Sequence, residues 1–379
     1  MVKRKKLGLL YQYNENWIGG TYYIQNLISA LGYLENEEQP EIFIITNDVD
    51  EFEKLKNKVN YPYLNYVHNY HHFSYSVSQK IINKVCFYFF KKRIFNKYKS
   101  FVDYSFPFGG KNEKQIGKQM IYWIPDFQEH YLPHFFTTEE IEQRKINQTF
   151  ISNQTNKLIL SSQNALNSYL KFYPDNTTTN IVLPFAVVNE NTPELHKDIL
   201  LAKYKLPNNF FISPNQFWVH KNHLIILQAI SELNKMGINV NIVFTGKEYD
   251  YRNPTYFETL KTYVQENDLT NQVWFLGFID RGDQINLIRY SKAVIQPSLF
   301  EGWSTVVEDA KSLNKIIILS SIQVHKEQLN GKGQFFNPTN AVELATKISE
   351  VNTAIEHSID YDYTNQIKLF AKNFMQILN

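Results

Sequence analysis

The feature that most constrains this chain is a repeated alternation between short, continuous apolar runs and longer segments whose apolar residues recur at helical spacing. The runs "KLGLLYQY", "EIFIIT", "QMIYWIP", "KLILSS" and "NIVLPF" come first, and "FFISP", "NVNIVFTG", "QVWFLGF", "KAVIQPS" and "KIIILSS" follow. Between them lie stretches such as "GGTYYIQNLISALGYL", "SQNALNSYLKFY" and "NHLIILQAISELNKMG". A strand buried on both faces reads as an unbroken apolar run, and its parallel neighbour is reached through a helical crossover. The pattern therefore calls for α/β architecture with parallel sheets. A length of 379 residues exceeds what one hydrophobic core of roughly 250–300 residues serves, so two domains are expected.

The polar segment "NENTPELHKDILLAKYKLPNN", with Pro193 and Pro207, divides the two series. The expected organisation is a doubly wound domain over 1–189, a second over 190–355, and a terminal helix, "YTNQIKLFAKNFMQIL", within 356–379. A hydrophobic share of 43% with 20% charged residues excludes a disordered chain. The single cysteine, Cys86, excludes an internal disulfide and a multi-cysteine zinc site; it reads as a small buried apolar residue.

No uncharged apolar run reaches the roughly 18 residues of a membrane span, and the N-terminus lacks a signal-peptide pattern, so a cytoplasmic protein is expected. In that compartment the sequons at Asn147, Asn153 and Asn176 carry no glycan. A net charge of +2 gives no global nucleic-acid footprint. Locally, however, no acidic residue occurs between Glu53 and Asp103, whereas Lys54, Lys56, Lys58, Lys80, Lys84, Lys91, Lys92, Arg93, Lys97 and Lys99 do. Within that span "KIINKVCFYFFKKRIFNKYKSF", residues 80–101, mixes bulky apolar side chains with lysines, as an interfacial helix on an anionic membrane would, or a helix packed on its own domain with a solvated lysine face.

Ligands of doubly wound sheets bind at the carboxyl ends of the strands, so the loops there are searched first. Gly19 and Gly20 follow the first strand and open a helix; they serve either a tight turn or close approach to an anion. Asp126 directly follows "MIYWIP", as a cleft carboxylate or an N-cap, with Gln128, Glu129, His130 and His134 nearby in spacing that matches no metal motif. Lys221, in "HKNH", stands at a helix start where a cation opposes the macrodipole unless an anion joins it. In "SLFEGWSTVVEDA", Glu301 and Glu308 are seven residues apart, nearly two turns. A helix starting near Gly302 would put both carboxylates on one side toward one ligand, with the amides of Trp303, Ser304 and Thr305 free for phosphate oxygens; an ordinary acidic surface helix is the alternative.

Taken in order, these segments resemble the family 4 glycosyltransferases, retaining enzymes of GT-B fold that use nucleotide-diphosphate sugars. "GGTYYIQNLISAL" is similar to the family's N-terminal glycine loop and helix, "WIPDFQ" to its active-site aspartate loop and "HKNH" to its phosphate lysine region. "VFTGK", with Gly246 and Lys247, "VWFLGFI", and "PSLFEGWSTVVEDA" resemble the rest of the nucleotide domain, the last its E-x7-E motif. The resemblance implies two Rossmann-like domains facing a cleft, with the C-terminal helix crossing back to the first. It implies that Glu301 touches the donor sugar, Glu308 the ribose, Lys221 the leaving diphosphate and Asp126 the acceptor hydroxyl, with Gly19 and Gly20 closing over the donor phosphates or the acceptor. The acceptor would be a glycan or lipid-linked glycan. No metal or other cofactor enters that scheme, and the pairs Asp48/Asp50 and Asp360/Asp362 read as surface acids. Two positions depart from the family: Gln216 replaces an arginine, leaving Lys221, amides and His220 or Lys247 to meet the diphosphate, and Pro125 replaces a histidine.

Overall fold

The structure, a computed structural model, describes residues 3–14, 18–68, 77–91, 94, 100–110, 116–189, 192–354 and 359–379. The first unit contains strands β1 (Lys6–Leu10), β2 (Glu41–Thr46), β3 (Leu64–His68), β4 (Val102–Phe108), β5 (Gly117–Ile124), β6 (Lys157–Leu160) and β7 (Thr179–Val182). Its helices are α1 (Ile18–Leu31), α2 (Val49–Val59), α3 (Val77–Phe90), α4 (Gln128–Tyr131), α5 (Thr138–Ser152) and α6 (Gln163–Phe172). The second begins with α7 (Lys197–Tyr204) and carries strands β8 (Phe211–Ser213), β9 (Ile242–Phe244), β10 (Val273–Phe275), β11 (Val294–Gln296), β12 (Ile317–Ser320) and β13 (Gln334–Phe336). Its helices continue with α8 (His223–Lys235), α9 (Tyr256–Glu266), α10 (Arg281–Tyr290), α11 (Thr305–Ser312), α12 (Gln323–Gln328) and α13 (Ala341–Thr353), before the terminal α14 (Tyr363–Ile377).

Both sheets are parallel throughout, in the orders β3-β2-β1-β4-β5-β6-β7 and β10-β9-β8-β11-β12-β13. Each starts near its middle and winds outward in both directions. That leaves a crevice where the direction reverses, between β1 and β4 in one sheet and between β8 and β11 in the other. The expected α/β fold of two doubly wound sheets is what the chain adopts.

Local chemistry explains the helix starts. Asp48, Ser162, Asp280, Ser304 and Asn340 each accept backbone N–H bonds at an N-terminus, and Thr137 with Glu140 forms a reciprocal capping box. Asp48 is thus a cap, and Asp360 Oδ1 accepts from the Asp362 amide. β4, which "VDYSFPF" does not announce, is central despite Pro107; the ladder to β5 slips between Ser105 and Phe108, where the missing donor is accommodated.

The first core is centred on Tyr23 of α1, stacked on Trp123 at 4.5 Å and met edge-on by Phe185 and Phe370. Phe370 belongs to α14, which also buries Ile367, Ala371, Phe374 and Ile377 in that core. The C-terminal helix therefore returns to the first sheet. Each such aromatic contributes roughly 1.5–3 kcal/mol on burial. Residues 190 and 191, the expected start of the second domain, lie outside the described residues, as do Lys92, Arg93, Lys97 and Lys99 of the basic run. Cys86 on α3 is half-buried rather than enclosed, on a helix of which only Asn83 is buried.

Candidate active site

The carboxyl ends of the two sheets face one another across a cavity of about 220 Å3 lined from both units. On the second unit, the loop leaving β11 carries a buried polar network. Gln296 accepts from Asn215 at 2.7 Å and donates to Glu301 Oε1 at 2.9 Å, and Ser298 donates to the same oxygen at 2.7 Å. Lys221 completes it, its Nζ 2.6 Å from Glu301 Oε1. Burial pushes the Glu301 carboxyl up, but the Lys221 charge and these hydrogen bonds outweigh it and hold the group below the usual range. Glu301 is an anion on the cleft wall.

Lys221 ends a short helical turn, Val219–Lys221, between β8 and α8. His220, beside it, is buried and held well below its usual pKa, first by desolvation and then by Lys221 and Arg252. It is neutral at pH 7, so of these two neighbours only Lys221 brings a charge to the wall. Gly246 follows β9 at φ 144°, and a Cβ there would stand 2.1 Å from the Asn215 carbonyl oxygen; only glycine lets the two loops meet. Gln216 lines the cleft, whereas Lys247 is not among the lining residues.

The first unit contributes Asp126, at the end of β5. Its Oδ1 accepts from the Gln128 amide at 3.1 Å and lies 3.7 Å from Arg144, so it organises the turn into α4 and also lines the cavity. Desolvation raises its pKa despite the nearby guanidinium. A Cβ at Gly302 would fall 2.2 Å from the Pro125 carbonyl oxygen and 3.0 Å from the Asp126 Cβ. The acidic loop after β11 and the aspartate loop after β5 therefore touch across the cleft, and only a residue without a side chain permits it. Trp303 reinforces that contact by donating from Nε1 to the Phe185 carbonyl at 3.1 Å.

Gly19 and Gly20 lie inside the first turn of α1 and line the cleft; a Cβ at Gly19 would meet nothing within 4 Å, so space rather than packing distinguishes that position. Glu129 is buried against Arg144 and Gln148, and His130 stacks on Phe172 at 3.9 Å. Both are structural. Among the described residues no group of three His, Cys, Asp or Glu is placed to hold a metal ion.

The structure places Glu308 away from the cleft. The helix starts not at Gly302 but at Thr305, capped by Ser304. Thr305, Val306 and Asp309 then lie within roughly 100° of one another on the helix, while Glu308 falls roughly 100° from their centre. Glu308 turns inward, accepting from Lys311 at 3.0 Å, Gln328 at 3.0 Å and the Tyr363 hydroxyl at 2.8 Å. Asp309 takes its place on the cleft wall, bound to Asn189 at 2.9 Å and to Arg281, which lines the same cavity. Sequence reasoning missed both Asp309 and Arg281. The signal for the first was arithmetic: an acid followed by seven residues and a second acid counts from Glu301 to Asp309.

A second cavity of about 200 Å3 adjoins the cleft. It shares Trp123, Pro125 and Asp126 and is bounded by Arg144, Asn147 and Gln148. Asp126 thus stands between two spaces. The first turn of α11 supplies N–H groups without intrahelical partners at Thr305 and Val306, both lining the main cleft.

Two facing Rossmann-like domains, a cleft with residues from both, and a C-terminal helix that returns to the first unit define the GT-B fold. Residues 198–361, most of the second unit, match the family described as "Glycosyl transferases group 1". Among solved structures, a glycosyltransferase from Rickettsia africae shares the fold with a TM-score of 0.63 at 16% identity, covering 99% of this chain and 93% of its own. HepE of Anabaena, solved with UDP and glucose, gives 0.60 at 15%, covering 99% and 96%. At these identities the likeness establishes the fold. A curated relative, the O-antigen chain mannosyltransferase RfbU of Salmonella typhimurium, is 25% identical over 178 residues, 44% of this chain and 47% of that protein. The match thus spans about half the length of that relative.

Proposed function

We propose that this protein is a retaining glycosyltransferase, of the family 4 type, that moves a sugar from a nucleotide-diphosphate donor to a glycan or lipid-linked glycan acceptor in surface-polysaccharide biosynthesis. The observation that carries the reading is the Lys221–Glu301 pair on one wall, pressed through Gly302 against the Asp126 loop on the other. A departing diphosphate takes the glycosidic electron pair and gains negative charge. Lys221 and the free N–H groups at the start of α11 are placed to stabilise it, and Glu301 faces the positive charge that develops on the sugar. Asp309 and Arg281, rather than Glu308, are the groups offered to the nucleoside end. Asp126, between the two cavities, is the group an acceptor hydroxyl entering from the second would meet. The chemistry needs no metal in this reading, since Lys221 and the helix start supply the positive charge.

Support for the donor class comes from HepE, solved with UDP and glucose, and for the pathway from the partial RfbU match. We place the enzyme in the cytoplasm, peripheral on the inner membrane face, where lipid-linked acceptors reside. The test is release of nucleoside diphosphate from a panel of nucleotide sugars, followed by mass spectrometry of the glycosylated product. Release from one donor that Glu301→Gln abolishes supports the reading. A second reading, a nucleotide-sugar-binding subunit with weak or no turnover, is favoured by Gln216 on the cleft wall where an arginine is usual; it predicts donor binding with no release from any donor.

A further inference from the structure

Helix α3 differs from every other long helix of the chain in what it exposes. Of its 14 residues only Asn83 is buried. Val77, Ile81, Tyr88, Phe89 and Phe90 are 74%, 58%, 74%, 70% and 73% exposed, and Ile82 and Val85 are also exposed. Helices that cross between parallel strands normally bury an apolar stripe on the sheet, and a contiguous exposed apolar face is a binding surface.

The arrangement round the helix selects what binds. At 3.6 residues per turn, Val77, Ile81, Ile82, Val85, Tyr88 and Phe89 span roughly 140° of one side. Lys80 and Lys84, one turn apart and both exposed, flank that side, and Lys91 directly follows the helix with its Nζ 5.8 Å from the Phe87 ring centroid. Residues 54–102 contain no aspartate or glutamate. A two-fold contact between copies of this chain through α3 would set the lysines of one copy against those of the other, with no carboxylate on the element to relieve them. An anionic bilayer has the opposite character: its acyl boundary takes the aliphatic and aromatic face, and its headgroups take the lysines. Aromatic residues at the helix's C-terminal end suit that boundary, because their rings partition to the headgroup level.

We infer that α3 is a membrane-docking helix that lies in the surface of an anionic bilayer, its Val77–Phe89 face in the acyl boundary and Lys80, Lys84 and Lys91 among the headgroups. The inference draws its biological sense from a lipid-linked acceptor, but the surface itself is independent of the transferase reading.

The full chain should sediment with vesicles of phosphatidylcholine containing phosphatidylglycerol at least about tenfold better than with phosphatidylcholine alone, and raising the salt should shrink the difference. Lys80→Glu with Lys84→Glu should weaken binding by about fivefold or more per site. Tyr88→Ser, Phe89→Ser and Phe90→Ser together should abolish it, with circular dichroism unchanged because these side chains stand in water. Tyr88→Trp should give a blue-shifted emission component on anionic vesicles alone. Equal binding to both vesicle types, retention in the triple variant, or no emission shift overturns the proposal. So does a dimeric mass in solution that the triple variant converts to monomer, which would assign the face to a second copy. Nucleotide release in vesicle-free buffer tests the transferase reading separately, so either can fail alone.

Discussion

Glu301 and Glu308 belong to one short stretch, and their surroundings are alike at first sight: each is a carboxylate in reach of one lysine and several side-chain donors. They face different parts of the molecule. Glu301 stands on the cleft wall, three donors converging on a single oxygen, Oε1. Glu308 is enclosed beside α14, where Tyr363 donates to it and in turn accepts from the Val187 amide in the segment leading from β7. The enclosed carboxylate uses both oxygens for structure, with Lys311 reaching both, Gln328 Oε1 and Tyr363 Oε2. The same residue type faces the cleft from the loop before α11 and turns away from it one turn into the helix.

That contrast can be broken by substitution. Glu308→Ala leaves Lys311 buried without its counter-charge and should cost about 3–5 kcal/mol of stability, read as a shifted denaturation midpoint, with activity per folded molecule falling far less. Glu301→Gln should do the reverse. We expect about 10²–10³-fold loss of turnover and a smaller loss of stability, since Lys221 reaches the water of the cleft. If Glu308→Ala and Glu301→Gln prove equally destabilising, the two carboxylates are not separable as argued. Tyr363→Phe removes one donor from Glu308 and leaves the Val187 amide without its acceptor, for about 1–3 kcal/mol; a lowered thermal unfolding midpoint with no change in donor KM is the expected result.

The smallest effect concerns pH. His325 is pushed down to about 4 and His223 to about 3, in both cases chiefly by burial. The unfolded chain binds protons at these positions near the ordinary histidine pKa while the folded chain does not, so stability is complete above that value and declines as pH falls from about 6.5 toward 4. His223 stacks on Phe217 at 4.6 Å, and neither ring nitrogen has a hydrogen-bond partner. His223→Phe should flatten the decline, measured as denaturation free energy at pH 7 and pH 5; an unchanged slope would remove His223 from the account.

A second pair of elements shows what was legible beforehand. Helices α1 and α3 both have 14 residues and a similar mixture of apolar and polar side chains, yet α1 buries ten and α3 one. The α1 segment was readable as a crossover helix because strands announced themselves on both sides of it. Around α3, β3 and β4 were hidden by tyrosines, asparagines and Pro107, so nothing in the pattern showed where the helix would sit. At the site, Lys221, Glu301 and Asp126 were found from their places after apolar strands, and the structure brings them to one cleft. Asp309 and Arg281 were not found. An aspartate and an arginine at helix starts are ordinary residues until a second domain closes over them.

Amino-acid order alone determined the two parallel sheets, because buried strands and amphipathic crossovers leave periodicities that survive without coordinates. It also pointed to the loops after β5, β8 and β11, which the structure brings to one cleft, since strand ends in such sheets are where loops meet. Which carboxylate faces the cleft was decided only in three dimensions: Ser304 caps α11 three residues after Glu301, and that offset turns Asp309 to the cleft and Glu308 toward Tyr363 of α14. Which helix is left bare was also tertiary, because burial depends on what packs opposite, and no local pattern records that.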